Sequence, residues 1–240
     1  QAGAALLDSY TVKRAPVAKQ IVTRANQSIG EFGPIFDALG LTGSVDPVKM
    51  QQNMDARVQA TPAAAAQREA LRKAIAFKVY EFDCHGVEMN QRYRSGAAVT
   101  DGQPEPAFTS DRELHYQPTT WPGARLPHVW LFTAEGKKVS SLDLCGHGAF
   151  TLLTSIGGEK WQAAAQTVGD ALGLAVTVHV IGPRQRMQDH LGDWARASEV
   201  GDSGCVLVRP DHHVGWRVDT LPKDPAAELD RVLRAILNPA

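Results

Sequence analysis

Ala175-Val176-Thr177-Val178-His179-Val180-Ile181, closed by Gly182-Pro183, sets the reading of the second half of the chain. Most of its residues are β-branched. Such side chains lose rotamer freedom in a helix and pack well on a pleated surface, and the Gly-Pro pair stops a ladder. The run reads as a buried strand. Upstream, Gly158 to Leu172 carries Trp161, Ala164, Ala165, Val168 and Leu172 at helical spacing. Before that helix, Phe150-Thr151-Leu152-Leu153-Thr154 is a short apolar strand. Val129–Phe132 and Ser141–Leu144 read as strands around the turn Glu135-Gly136-Lys137. Downstream, Leu191 to Ala197 is a short helical turn. Cys205–Pro210 and His213–Val218 pair antiparallel across Asp211-His212. Pro225 to Leu237 closes the chain as a helix with Leu229, Val232, Leu233 and Ile236 inward.

Strand, helix, strand, helical turn, two antiparallel strands and a helix is the order of a thioredoxin-like domain. The expected fold class is therefore α/β (α+β). An N-terminal helical segment with a few strands precedes a thioredoxin-like domain that lacks a CxxC pair. In the first segment, Leu6, Leu7, Tyr10 and Val17, then Ile21, Ala25 and Ile29, recur at helical spacing. Pro16 predicts a kink there, or a fresh helix with Pro16 in its first turn. Gly30-Glu31-Phe32-Gly33-Pro34 should bend the chain. Thr61-Pro62 predicts a helix start, with Thr as N-cap and Pro at the first helical position, running to about Phe77. Lys78 to Thr100 reads as short strands with turns between. Asp101-Gly102-Gln103-Pro104-Glu105-Pro106 is rich in turn residues and marks a connector. The expected division is residues 1–101, a linker at 102–125, and the thioredoxin-like domain at 126–240.

The composition excludes some partners. Lys and Arg number 25 against 26 Asp and Glu, for a net charge of −1 over 240 residues. Nucleic-acid binding usually needs a basic surplus, and an anionic membrane surface attracts polybasic segments. No apolar run approaches the ~18 residues of a membrane helix. The start Gln1–Asp8 has neither a basic leader nor a long apolar core, so no signal peptide is expected. It also lacks an initiator Met, which suggests a chain trimmed, cleaved or expressed as a piece. Cys84, Cys145 and Cys205 are widely spaced, which suits free thiols in a reducing compartment and a cytoplasmic protein.

Motifs for chemistry are few. Thr154-Ser155-Ile156-Gly157-Gly158 occupies the place of a thioredoxin redox site and holds no cysteine, so thiol–disulfide exchange is not expected. Gly201-Asp202-Ser203-Gly204 matches the core of a serine-protease signature, but Cys205 follows and no His motif lies upstream. A polar turn feeding a strand is the better reading. His212 and His213 would point to opposite faces of a strand, and no paired spacing supports a metal site. Gly146-His147-Gly148 lacks the third glycine of a phosphate fingerprint, and Gly157-Gly158 is a weak candidate for an anion at a helix N-terminus. Arg125, His128, Arg209, Asp211, His213, Trp216 and Arg217 cluster around the strands. Charged groups there need partners if buried, so they are expected to form a network that fixes the second half against the first.

Several strings resemble the C-terminal part of the FAD-dependent aromatic hydroxylases, the phenol and chlorophenol monooxygenase family. They are Leu6-Leu7-Asp8-Ser9-Tyr10 with Lys13-Arg14-Ala15-Pro16-Val17-Ala18; Tyr116-Gln117-Pro118-Thr119-Thr120 with Pro122-Gly123-Ala124-Arg125-Leu126-Pro127-His128; Ser141-Leu142-Asp143-Leu144-Cys145-Gly146; Gly192-Asp193-Trp194; and Val208 to Arg217. The resemblance is collinear over nearly the whole chain. It implies FAD, held mainly by an N-terminal half that this sequence lacks. It also implies NAD(P)H as co-substrate, a phenolic substrate, that N-terminal half as partner, and a homo-oligomer. No catalytic residue carries over to these 240 positions. Residues 1–101 would be the last helices and strands of the FAD/substrate half. The alternative is a stand-alone thioredoxin-like binding or assembly module without catalysis.

Overall fold

The computed structural model describes residues 4–43 and 45–238. Helices α1 (Ala4–Gly30), α2 (Gly33–Leu39), α3 (Pro47–Ala56), α4 (Pro62–Phe77), α5 (Val79–Phe82) and α6 (His85–Met89) come first. Strands β1 (Trp130–Thr133), β2 (Lys138–Ser140) and β3 (Phe150–Ser155) follow, then α7 (Lys160–Leu172), β4 (Val176–Ile181), β5 (Met187–Gln188) and α8 (Asp193–Ala197). Strands β6 (Cys205–Val208) and β7 (Val214–Val218) and helix α9 (Pro225–Leu237) end the chain. The mixed α/β class holds.

The chain forms two compact units that interleave in sequence. One gathers Gln1–Ala15, Met89–Thr109 and Gln117–Ala240; the other gathers Pro16–Glu88 and Ser110–Tyr116. The first holds a seven-stranded sheet of order β2-β1-β5-β4-β3-β6-β7. The β-branched run forms the expected strand, β4, parallel to both β3 and β5, but only Val180 and Ile181 of it are buried. Because alternate side chains leave a strand on opposite faces, Leu152 and Leu153 enter different cores. Leu152 and Leu207 pack with Trp161 of α7 and with Leu229 and Leu233 of α9. Leu153, Val206 and Val208 pack with Leu126, Leu131 and Trp194 on the other side. The β6–β7 ladder pairs Leu207 with Trp216 but Val208 with Val214. That bulge at Gly215 lets Val214 and Trp216, two residues apart, serve opposite cores.

The second unit is helical. The Thr61 side chain accepts the Ala64 N–H, with Pro62 in the first turn, and α4 ends at Phe77 as the sequence predicts. Asp46 caps α3 in the same way, ahead of Pro47. Helix α2 packs on α4, and the left-handed Gly40 ends α2.

Two local readings need correction, one is narrowed, and one strand is new. Of the two outcomes expected at Pro16, the fresh helix does not occur: α1 runs through Pro16 from Ala4 to Gly30. The carbonyl that loses its donor there belongs to exposed Val12, where solvent can replace it. Residues 78–100 hold α5, α6 and a single bridge, Arg92 to Ala124, rather than strands. Their apolar residues are spaced too irregularly to define a period. Ser141–Leu144 is a 3₁₀ turn, because Ser140 and Asp143 close a capping box that bends the chain out of the ladder. Two-residue β5 carries too little pattern to be seen in sequence.

Candidate functional site

Residues 123–126 run beside the start of β7. Gly123 N–H donates to Val214 O at 2.8 Å, Val214 N–H to Ala124 O at 2.8 Å, and Leu126 N–H to His212 O at 2.8 Å. That pairing brings Arg125 opposite His213 along the main chain. Around this seam sits a charged group. Buried Arg209 donates from Nη1 to Ala97 O at 3.0 Å and from Nη2 to Asp211 Oδ2. His213 Nδ1 lies 2.9 Å from Asp211 O. A carbonyl only accepts, so this contact places the proton on Nδ1. The His213 ring packs on Tyr93, centroids 4.7 Å apart, and the Arg14 guanidinium lies 5.2 Å from the same Tyr93 ring.

The electrostatics of this group are coupled. Burial alone would raise the Asp211 carboxyl. The hydrogen bond from His213 and the Arg209 charge outweigh it and hold the carboxyl well below its ordinary range. Burial, then the Arg209 charge, lowers the Lys13 ammonium. Burial raises the Tyr93 phenol. One carboxylate thus sits among Lys13, Arg14 and Arg209.

A second knot forms around Arg217, which is 8% exposed. Its Nε donates to Asp101 Oδ2 at 2.6 Å, and its Nη1 to Thr120 Oγ1 at 3.0 Å and to Glu199 Oε2. The same Glu199 oxygen accepts from Thr119 Oγ1 at 2.7 Å, from Thr120 N–H at 3.0 Å and from Thr120 Oγ1 at 3.2 Å. Glu199 adopts φ 54, a left-handed conformation costly for a side chain with a Cβ. The multiple donors on its carboxylate are what hold it there.

Of the seven residues singled out in the sequence, Arg209, Asp211 and His213 meet in one cluster, joined through the main chain by Arg125. The Arg125 Nε is buried with no hydrogen-bond partner. Arg217 belongs to the second knot. Trp216 lies in the core, edge-on to Trp161 with centroids 6.0 Å apart. His128 is exposed and stands apart, 2.8 Å from Ser140 Oγ and edge-on to Trp130. Sequence reasoning missed Asp101, Glu199 and Tyr93 as members. Asp101 reads as a turn residue, and nothing in the sequence singles out Glu199.

The other motifs resolve as packing. Ser203 Oγ accepts the Leu221 N–H at 3.2 Å, and Ser203 O accepts from Trp161 Nε1 at 3.1 Å. His212 turns back at φ 62 to place Nε2 3.2 Å from Leu142 O. Among the described residues no group of three His, Cys, Asp or Glu could hold a metal ion. Of the four glycines that might cradle a phosphate, Gly148 faces open space and the other three are filled by protein. A Cβ on Gly158 would stand 1.8 Å from Thr154 Oγ1, one on Gly157 3.1 Å from the Ser203 Cβ, and one on Gly146 2.5 Å from the His212 ring. Gly146, Gly157 and Gly158 therefore do not fit a flavin's phosphates. No described helix is long and apolar enough to cross a membrane.

Residues 119–240 match the family model described as aromatic-ring hydroxylase, C-terminal. The chain belongs to this family. The matched segment starts at Thr119, one of the residues that hold Glu199, and takes in the whole sheet. The chain is 51% identical over 234 residues to a 2,4-dichlorophenol 6-monooxygenase of Cupriavidus pinatubonensis (strain JMP 134 / LMG 1197), covering 97% of this chain and 39% of that protein. It is 45% identical over 240 residues to a phenol 2-monooxygenase of Pseudomonas sp. (strain EST1001), again over 39% of that protein. Among solved structures it resembles the flavin-dependent monooxygenase PieE in complex with FAD and substrate. The TM-score is 0.90 at 44% identity, over 98% of this chain and 40% of that one. An aklavinone-11 hydroxylase complex with FAD and aklavinone matches at TM-score 0.64 and 28% identity, over 98% of this chain and 36% of that one. The chain thus spans about two fifths of the aromatic-ring hydroxylases it matches.

Proposed function

We propose that the chain is the C-terminal part of a flavin-dependent monooxygenase that hydroxylates a phenolic substrate with NAD(P)H and O2. The observation that carries this reading is the collinear 51% identity over 97% of the chain to a 2,4-dichlorophenol 6-monooxygenase. In this reading FAD and the reacting ring are held by the remaining part of the enzyme. When bound, the flavin would supply the oxygen-activating chemistry; this chain would support the half that holds it. Residues 1–101 would complete the FAD/substrate half, 102–125 would join the parts, and 126–240 would be a thioredoxin-like domain without redox cysteines. The Arg209–Asp211–His213 cluster and the Arg217 knot would fix the junction, since Asp101, Thr119 and Thr120 are tied to Arg217 and Glu199. The whole enzyme would be a cytoplasmic homo-oligomer.

The test is a chimera. The flavin-binding part of the Cupriavidus relative is fused ahead of this chain, and the purified protein is assayed for visible flavin absorbance and for phenol-dependent NAD(P)H oxidation with hydroxylated product. A colourless protein, or NAD(P)H oxidation without hydroxylation, refutes the proposal.

A further inference from the structure

Within α1, Ala18, Val22, Ala25 and Ile29 follow one another at steps of four, three and four residues. That spacing puts them on one helix face, the face a helix normally buries. Here all four are exposed, Val22 at 58% and Ile29 at 72%. Two of the four are alanines, so a second backbone can approach closely between the larger side chains.

Beside this stripe lies a cavity of about 270 Å³, lined by Ile21, Arg24, Ala25, Ser28, Tyr80 and Val87 among others. Arg24 is tied down on its outer nitrogens, Nη1 to Gln27 at 3.3 Å and Nη2 to Glu31. Its Nε is buried and has no hydrogen-bond partner. The chain covers only 39% of its 2,4-dichlorophenol 6-monooxygenase relative, so roughly three fifths of such an enzyme lies outside the match.

We infer that this face of α1 is the seat of a helix from the flavin-binding part of the enzyme. That helix presents a complementary apolar stripe. The inference rests on the proposed function, and names which surface of the chain the flavin-binding part occupies.

Hydroxyl-radical footprinting reads the seat directly, whether or not the chimera turns over. Val22 and Ile29 are expected to be oxidised in the chain alone and to lose that labelling in the chimera, while Val45, 97% exposed and off the stripe, labels in both. Val22→Asp with Ile29→Asp should weaken flavin retention in the chimera by about tenfold or more, as for a central apolar contact given a charge. Val45→Asp should leave retention as in the unsubstituted chimera. The chain alone should melt at one temperature with or without the paired substitutions, which separates a lost seat from a lost fold. Equal labelling of Val22 and Ile29 in chain and chimera overturns the inference. So does a wild-type chain that sediments as a dimer and becomes monomeric with the paired substitutions, since the face would then join two copies. A chimera with α1 protected but no hydroxylation would sink the proposed function and leave the seat standing.

Discussion

Replacing Arg217 with Met should be among the most damaging single changes in the sheet-containing unit. Methionine keeps most of the aliphatic stem but removes the donors to Asp101, Thr120 and Glu199. The Asp101 side chain is 11% exposed and would be left nearly buried without its cation. Breaking a buried pair by removing one partner costs about 3–5 kcal/mol. Glu199 is about a third exposed, so water screens its share and the lower part of that range applies. A loss of about 3–4 kcal/mol in a chain of this size shifts Tm by roughly 6–16 °C.

The assay is thermal unfolding followed by near-ultraviolet circular dichroism, which reports on Trp161, Trp194 and Trp216, all buried in this unit. Arg217→Lys should recover only part of the loss, because a point charge cannot serve Asp101 and Glu199 in the geometry of the guanidinium fork. Adding Asp101→Asn and Glu199→Gln to Arg217→Met should raise Tm above that of the single variant, since the stranded charges are then gone. A fall of under about 2 °C for Arg217→Met, or full rescue by Lys, would refute the reasoning, because neither fits the removal of a buried cation from two acids.

Other outcomes follow from the same geometry. Cys145 and Cys205 are buried and their thiols are pushed up, Cys145 to about 12, so a thiol reagent near neutral pH should label native protein at Cys84 alone. A raised thiol favours the folded state below its ordinary value of 9.0 and loses that contribution as pH rises towards about 12, so Cys145→Ala should flatten the alkaline fall in Tm. Asp211 is shifted the other way. Its contribution is present above the ordinary 3.8 and is lost as pH falls below it, so the Tm gap between wild type and Asp211→Asn should be open at neutral pH and close in acid. Gly204→Ala would put a Cβ 2.3 Å from Val218 O and from Asp219 O, and should yield unfolded or strongly destabilised protein, while Gly33→Ala, with open space, should melt near wild type.

How much of this was legible depended on where each pattern finds its partner. The sheet-containing unit was read well from Phe150 to Leu237 because its strands and helices bury their stripes against one another. Trp161, Ala164, Ala165 and Val168 all reach the core that their spacing implies. The Thr61-Pro62 start was legible because a cap is a local event within one turn. Ser141–Leu144 was misread because its apolar alternation suits a strand, while the capping box that bends it lies in two polar side chains. The Arg217 knot was half legible. A buried arginine demands acids, but which acids depends on contacts spanning 18 and 116 residues.

Helix α1 shows the limit of such reading. The recurrence of Leu6, Leu7, Tyr10, Val17, Ile21, Ala25 and Ile29 correctly gave a helix; Leu6 and Val17 are part-buried, yet the other five side chains lie exposed. Periodicity records that a face was selected to be covered; it carries no information on which chain covers it. In a chain that contained all of its own partners, that face would be buried, as on α7 and α9. On the seat inferred above, an apolar stripe left open on one long helix, in a chain matching about two fifths of its 2,4-dichlorophenol 6-monooxygenase relative, is an unfilled contact rather than a failure of the pattern. Footprinting Val22 and Ile29 converts that argument into a measurement, because the same two side chains must be open in this chain and closed in the longer one.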